Sequence, residues 1–316
     1  MTGSCRMKFG AGPRPFRCPA LFLAILLLLC AGPAASAAAD FRITEIQACL
    51  PDCPPVLEQM KILLISDLHL SAGNRSRQLF TALTDRINLL KPDVLLIAGD
   101  IFDGRDKRDP ELLADVWTEF MGRLERPALG VFAVLGNHDM SWGEGENIRA
   151  VLKKSGVRVL SGEVVTIRYR NASLYLAGTE KRPRKPFPKE FQKKITTLRP
   201  LILMAHYPET FDLVPDDAQI LVVAGHTHGG VVHIPGLKDD AFISLFSPKH
   251  RTKYVFGAYG GQEGKRLYVT AGIGGEGKSG HRINNPPEIV IIRPGGRKEK
   301  ITAPPRETAP AVPGEN

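Results

Sequence analysis

Beyond residue 53 the 316-residue chain has no cysteine: Cys5, Cys18 and Cys30 fall in the first 39 residues, and only Cys49 and Cys53 remain. One C-x3-C pair with no second pair argues against a four-cysteine zinc site. We expect Cys49 and Cys53 to close a small loop disulfide of the kind that forms outside the cytoplasm, with two thiols as the other reading. A basic stripe interleaved with aromatics is also missing, so nothing points to nucleic acid. No internal repeat is present, which leaves one large domain with appendages. The strongly apolar run that begins at Ala20 is about 10–13 residues long, short of the roughly 20 that a membrane span needs.

That run belongs to a targeting segment, residues 1–39. Its basic start carries Arg6, Lys8, Arg14 and Arg17 and no acid, and small residues follow from Ala31, with A-x-A cleavage patterns at Ala35–Ala37 and Ala37–Ala39. A cleaved signal peptide is expected. Because the 20 residues from Ala20 to Ala39 are all uncharged, an N-terminal membrane anchor is the alternative. Either one puts the domain outside the cytoplasm, in the periplasm or cell envelope. Leu29 before Cys30 does not suit a lipoprotein signal. Without the four basic residues of this segment the formal charge drops from +9 to +5, a modest excess that reads as a solvated basic face.

From residue 40 the chain alternates buried strands with helical stretches. Short continuous apolar runs at 61–65, 93–98 and 131–135 read as strands covered on both faces. Between and after them, 78–90, 110–124 and 146–154 have helical spacing, so this half is βαβαβ and its sheet largely parallel. The second half is richer in strands, at 164–169, 174–178, 201–205, 220–224, 266–271 and 288–292, with a hairpin turn at Asn171-Ala172. Lys181–Lys194 is basic and reads as a loop with a short helix. Residues 40–297 are expected to form the domain, and 298–316, rich in Pro, Lys and Glu, a disordered tail.

The polar residues fall where these strands end. Successive strands lead into Asp67-Leu68-His69, Gly99-Asp100, Gly136-Asn137-His138-Asp139, His206, and Gly225-His226-Thr227-His228. Parallel α/β sheets bind ligands outside the carboxyl ends of their strands, so these side chains converge on one rim. Carboxylate, amide and imidazole donors together suit Mn, Fe, Zn or Co better than Ca. If extended, Asp67 and His69, like His226 and His228, would share a face. Taken singly, Asp67 and Asp100 read as caps, Asn137 as a turn residue and His206 as a core histidine. The ordered set outweighs those readings.

D-x-H, G-D, G-N-H-D, H and G-H-T-H in this order resemble the calcineurin-like metallophosphoesterase superfamily over about residues 60–293. Gly225–Gly230, Ile234-Pro235 and Pro286–Ile289 resemble its bacterial YaeI/YkuE-like phosphodiesterase branch. The chain departs from that branch at Val231 and Ala271, where Gln and Arg are frequent. The resemblance implies a four-layer αββα sandwich of two mixed sheets with a dimetal site on one rim. It implies that Asp67, His69 and His228 hold one metal, that Asn137, His206 and His226 hold the other, and that Asp100 bridges.

The reaction it implies is hydrolysis of a phosphodiester or pyrophosphate by direct attack of a metal-bridging hydroxide. His138 would act on the phosphoryl group or leaving oxygen, and Asp139 would orient it. Arg282 and, more weakly, Arg105 are expected to contact substrate phosphate, and the substrate is expected to be lipid- or envelope-linked. His233 is expected to be structural, and His250 and His281 surface residues. Two alternatives stand beside this: a UDP-2,3-diacylglucosamine pyrophosphohydrolase-like enzyme of lipid A synthesis, and an inactive metal-binding scaffold.

Overall fold

The structure is a computed structural model and describes residues 40–103, 110–141, 145–180, 185–230, 252–261, 264–275 and 282–295. The targeting segment, the tail, Arg105, His233, Ile234-Pro235, His250 and His281 lie outside the described residues.

The strands are β1 (Arg42–Gln47), β2 (Ile62–Ile65), β3 (Val94–Ala98), β4 (Val131–Val134), β5 (Arg158–Val159), β6 (Glu163–Tyr169), β7 (Ala172–Thr179), β8 (Leu201–Ala205), β9 (Leu221–Ala224), β10 (Gly257–Gly260), β11 (Arg266–Val269) and β12 (Glu288–Arg293). The helices are α1 (Asn74–Leu90), α2 (Pro110–Arg123), α3 (Asn137–Met140), α4 (Gly145–Lys154), α5 (Lys189–Thr197) and α6 (Thr210–Leu213). Two six-stranded sheets result, ordered β1-β12-β2-β3-β4-β5 and β10-β11-β9-β8-β7-β6. Both are mixed. β2, β3, β4 and β5 run parallel, as do β7, β8, β9 and β11, while β12 is antiparallel to β2 and β6 and β10 are antiparallel to their neighbours.

Strand alternation builds the layers. On β2 and β3, Ile62, Leu64, Val94 and Leu96 point between the sheets, where they meet Ile202, Met204, Leu221 and Val223 of the second sheet. Leu63, Ile65, Leu95 and Ile97 point the other way, onto Phe80, Leu83 and Ile87 of α1 and Trp117 and Phe120 of α2. On the far side, Leu201, Leu203 and Val222 pack on Phe191 and Ile195 of α5 and Phe211 of α6. Each central strand thus buries both faces, which is why its sequence is a continuous apolar run. The result is the expected αββα sandwich. No helix among the described residues is long and apolar enough to cross a membrane.

Several boundaries differ from expectation for local reasons. α1 begins at Asn74 rather than Gln78, because its first turn, Asn74 to Arg77, is polar and so carries no apolar period. The β6–β7 turn sits at Arg170-Asn171, one residue early, with Arg170 taking the left-handed conformation (φ 52°). Past Val269, Thr270 N still donates to Ala224 O of β9 (2.9 Å), and the next backbone N–H, that of Ala271, turns to the Glu288 carboxylate (2.9 Å) and leaves the ladder. Of the basic 181–194 stretch, Lys189 onward is helical and anchored by buried Phe191 and Ile195. The short strands β5 and β10 lack an apolar run long enough to announce them.

Cys49 and Cys53 are both thiols rather than the expected disulfide. Their sulfurs turn to separate carbonyls, Gln47 O at 3.6 Å and Pro54 O at 4.0 Å.

Glu288 ties the sheets together. Fully buried at the start of β12, its carboxylate accepts from Thr44 Oγ1 of β1 (2.6 Å), from Tyr268 Oη of β11 (2.9 Å), and from Thr270 and Ala271. Glu288→Ala would leave four buried donors without their acceptor. We expect a loss of about 3 kcal/mol or more in a urea unfolding curve, against less for Glu288→Gln, which keeps one oxygen.

Candidate metal centre

The carboxyl ends of β2, β3 and β4 in one sheet meet those of β8 and β9 in the other. Close backbone approach makes the junction. A Cβ at Gly225 would lie 1.9 Å from Ser66 Oγ and 2.5 Å from Asp67 Oδ2, and one at Gly136 would lie 2.2 Å from Asp100 Oδ1. Five of the seven expected ligands are left-handed: Asp67 (φ 53°), His69 (46°), Asp100 (49°), His226 (74°) and His228 (49°). Such backbone is uncommon outside glycine, and it concentrates where a site over-determines it. The extended i,i+2 geometry expected for the two motifs is therefore not what the chain adopts.

Two groups of donors result: Asp67, His69 and His228 in one, and Asp100, His206 and His226 in the other. His226 and His228, two residues apart, thus serve different groups. In the first group His69 Nε2 lies 3.2 Å from His228 Nε2, which lies 3.7 Å from Asp67 Oδ1. In the second, His206 Nε2 lies 3.0 Å from Asn137 Oδ1, 3.2 Å from His226 Nδ1 and 3.3 Å from Asp100 Oδ2. That same Asp100 oxygen is 4.0 Å from His69 Nε2, so it stands between the groups.

Hydrogen bonds on the outer side of the His206 and His228 rings fix their orientation. His206 Nδ1–H donates to Ala98 O (2.9 Å) and His228 Nδ1–H to Gly274 O (3.2 Å), so both Nε2 atoms face inward. Ring nitrogens and side-chain oxygens converge there. Two donors bound at about 2.1 Å and at a right angle are about 3.0 Å apart, and four of the six spacings, at 3.0–3.3 Å, lie close to that. This donor set fits a pair of divalent cations.

The electrostatics agree. Burial alone would depress His206, but the Asp100 carboxylate beside it, with help from Asp67, lifts it to about 9. The field that draws a proton there draws a cation equally. Burial pushes His69 down to about 4, aided by the charge of His228, and His228 down to about 3, aided by Arg282. Both are neutral near pH 7 and need lose no proton to ligate. Burial pushes Asp67 up, while for Asp100 it is outweighed by His206 and the carboxyl is held well below the usual range.

The remaining expected residues divide. His138 is half-buried, its ring edge-on to His69 at 4.8 Å, and its backbone N–H donates to Asp100 Oδ1 (2.7 Å). Asp139 does not turn to the His138 ring. It is fully buried and accepts backbone N–H from Ile101 (3.0 Å), Phe102 (3.1 Å) and Gly136 (2.9 Å), which pins the loop after β3 to the loop after β4. Burial and the nearby Asp100 charge push it up to about 6 against those three donors.

Arg282 is held by backbone carbonyls. Its Nε donates to Gly274 O (2.9 Å) and its Nη2 to Ala271 O and Gly274 O (both 2.6 Å).

The sequence reading missed Asn285, buried with its Nδ2 donating to His228 O (2.6 Å), and Gly272 and Gly274, which lie on Asp67. Their only signal was nearness to the Pro286–Ile289 element. An amide at position 139 would face backbone N–H groups with a donor. We expect Asp139→Asn to lower stability by about 1–3 kcal/mol by denaturant unfolding and to reduce bound metal by elemental analysis.

The family profile of calcineurin-like phosphoesterases matches residues 60–230. Metallophosphoesterase Cj0846 of Campylobacter jejuni is 28% identical over 81% of this chain, which spans 65% of that relative's length. Phosphodiesterase YaeI of Escherichia coli is 29% identical over 73% of this chain and 81% of its own. The UDP-2,3-diacylglucosamine pyrophosphatase LpxG of Chlamydia trachomatis is 26% identical over 80% of this chain and 88% of its own. With its motifs, sandwich fold and rim of converging donors, the chain belongs to the calcineurin-like phosphoesterase family.

Proposed function

We propose that the protein is a dimetal-dependent phosphoesterase that hydrolyses a phosphodiester or pyrophosphate. The observation that carries this is the Asp100 carboxylate lying between two groups of inward-facing donors, 3.3 Å from His206 Nε2 and 4.0 Å from His69 Nε2. Asp67, His69 and His228 would hold one cation, Asn137, His206 and His226 the other, and Asp100 would contact both. Mn, Fe, Zn and Co suit such a thiolate-free set of oxygen and nitrogen donors. Bound there, two divalent ions lower the pKa of water and offset charge on attacking and leaving oxygens.

The chain's own residues do the rest. Outer hydrogen bonds to the Ala98 and Gly274 carbonyls fix the His206 and His228 rings. Asp139 holds the two loops in register. His138, half-buried beside His69, is the group that donates a proton to the departing oxygen. Diester or pyrophosphate cleavage is favoured over monoester cleavage because the Escherichia coli relative is named a phosphodiesterase and the Chlamydia relative a pyrophosphatase. The latter name also supports a lipid-linked substrate, with UDP-2,3-diacylglucosamine as the second reading. Residues 1–39, with their basic start, apolar run and A-x-A patterns, support export to the cell envelope.

Manganese-loaded protein should turn over bis-p-nitrophenyl phosphate faster than p-nitrophenyl phosphate. A large excess of monoesterase would sink the substrate class, and no turnover of either would favour a binding scaffold. Asp100→Ala should lose metal from both positions by elemental analysis and most of its turnover. His138→Gln should keep two ions while kcat falls roughly 10²–10⁴-fold. N-terminal sequencing of protein recovered from the envelope should begin near residue 38 or 40 if the segment is cleaved.

A further inference from the structure

The positive charge of the domain is gathered in one stretch. Residues 181–194 hold seven lysines and arginines against one acid, Glu190, so outside this stretch and the targeting segment the chain stands at −1. Four of the seven, Lys185, Lys189, Lys193 and Lys194, lie among the described residues, and all four are exposed. None of the four has a carboxylate within ion-pair distance among those residues, whereas Arg77, Arg149, Arg158, Lys253, Lys265 and Arg293 each have one.

Helix energetics does not account for this placement. Lys189 opens α5, where the helix dipole disfavours a cation, and Lys189 and Lys193 are a like-charged i,i+4 pair. By contrast, Lys91, Arg123, Lys153 and Lys154 follow or close α1, α2 and α4, where the dipole favours them. Phe191 and Ile195 seat α5 on the second sheet and so turn Lys189 and Lys193 outward. Phe187, between Lys185 and Lys189, is half-buried and meets Phe191 edge-on at 5.3 Å. A partly exposed aromatic among lysines suits the boundary between water and a bilayer.

This face begins at the rim. β7 and β8 run parallel and Thr179 pairs with Ala205, the residue before His206, so the chain leaves β7 on the rim and passes Lys185 and Phe187 before α5 turns back. β1 starts at the same end: it runs parallel to β12, whose Glu288 N–H donates to Gly272 O (2.9 Å), and Gly272 lies on Asp67.

We propose that Lys185, Phe187, Lys189, Lys193 and Lys194 form a docking surface for an anionic lipid bilayer, one that holds the rim near the membrane. A flat bilayer suits lysines on the outer side of one short helix, whereas a polyanionic strand is tracked by a groove. The docking does not depend on the phosphoesterase reading; it adds where such an enzyme would meet a lipid-borne phosphoester.

The test is co-sedimentation of the full chain with phosphatidylcholine vesicles, with and without phosphatidylglycerol, at low and high salt. The apolar run near the N-terminus binds both vesicle types alike, so the ratio of the two partition coefficients reads charge. We expect a ratio well above one that falls at high salt. Lys185→Gln, Lys189→Gln, Lys193→Gln and Lys194→Gln together should lower it on the order of 10²-fold, each lysine at an anionic surface being worth roughly fivefold. A charge-matched control, Lys91→Gln, Arg123→Gln, Lys153→Gln and Lys154→Gln together, alters helix ends away from the rim and should leave the ratio within about threefold. Glutamine matches lysine in helix propensity, so turnover of soluble bis-p-nitrophenyl phosphate should be unchanged. If the fourfold variant fails to fold, Lys193→Glu alone should lower the ratio on the order of tenfold.

A ratio near one, an equal loss in the two fourfold variants, or tighter binding to soluble heparin than to the vesicles would overturn the proposal. Failure of the phosphoesterase reading would show differently, as absent turnover with vesicle binding intact.

Discussion

A single buried carboxylate on the rim, Asp100, is the constraint that the site is built around. One oxygen takes the His138 backbone N–H and the other stands within 4.0 Å of imidazoles from both sheets. Burying a charge costs several kcal/mol unless partners compensate it, so the surrounding histidines, amide and backbone donors are requirements rather than additions. Glu288 plays the matching part between the sheets, where four donors surround a fully buried carboxylate. One acid assembles the donors and the other keeps the β11–β12 connection against them.

Conformational strain is the cost of that convergence. Among the described residues ten non-glycine positions have positive φ, and five of them are candidate ligands. Each left-handed side-chain-bearing residue costs on the order of 1–2 kcal/mol, so the rim stores strain that the apolar layers must offset. Asp and His tolerate the left-handed region better than β-branched residues, which suits them to this backbone as well as to metal. The rim is shaped for ligation at the expense of stability.

Much of the rim was legible in the chain before folding. Continuous apolar runs announced β2, β3, β4, β8 and β9, because a strand buried on both faces has no polar alternation. Asp67, His69, Asp100, Asn137, His206, His226 and His228 were legible because each follows such a run. Asp139 and Arg282 were not. A carboxylate beside a catalytic-type histidine and an arginine near a glycine loop suggest contacts outward, yet both turn to backbone groups, Ile101 and Phe102 for one and Ala271 and Gly274 for the other. Short-range pattern cannot rank a neighbour 3 residues away against one 38 away.

The sequence by itself determined the kind of chemistry, since residue type sets which metals can be held, and strand order sets which rim holds them. Only the tertiary structure decided the tautomers of His206 and His228 and the turn of Arg282 onto backbone carbonyls. Those depend on dihedral angles and on hydrogen bonds between residues 8 to 108 apart, and packing brings the more distant of them within reach.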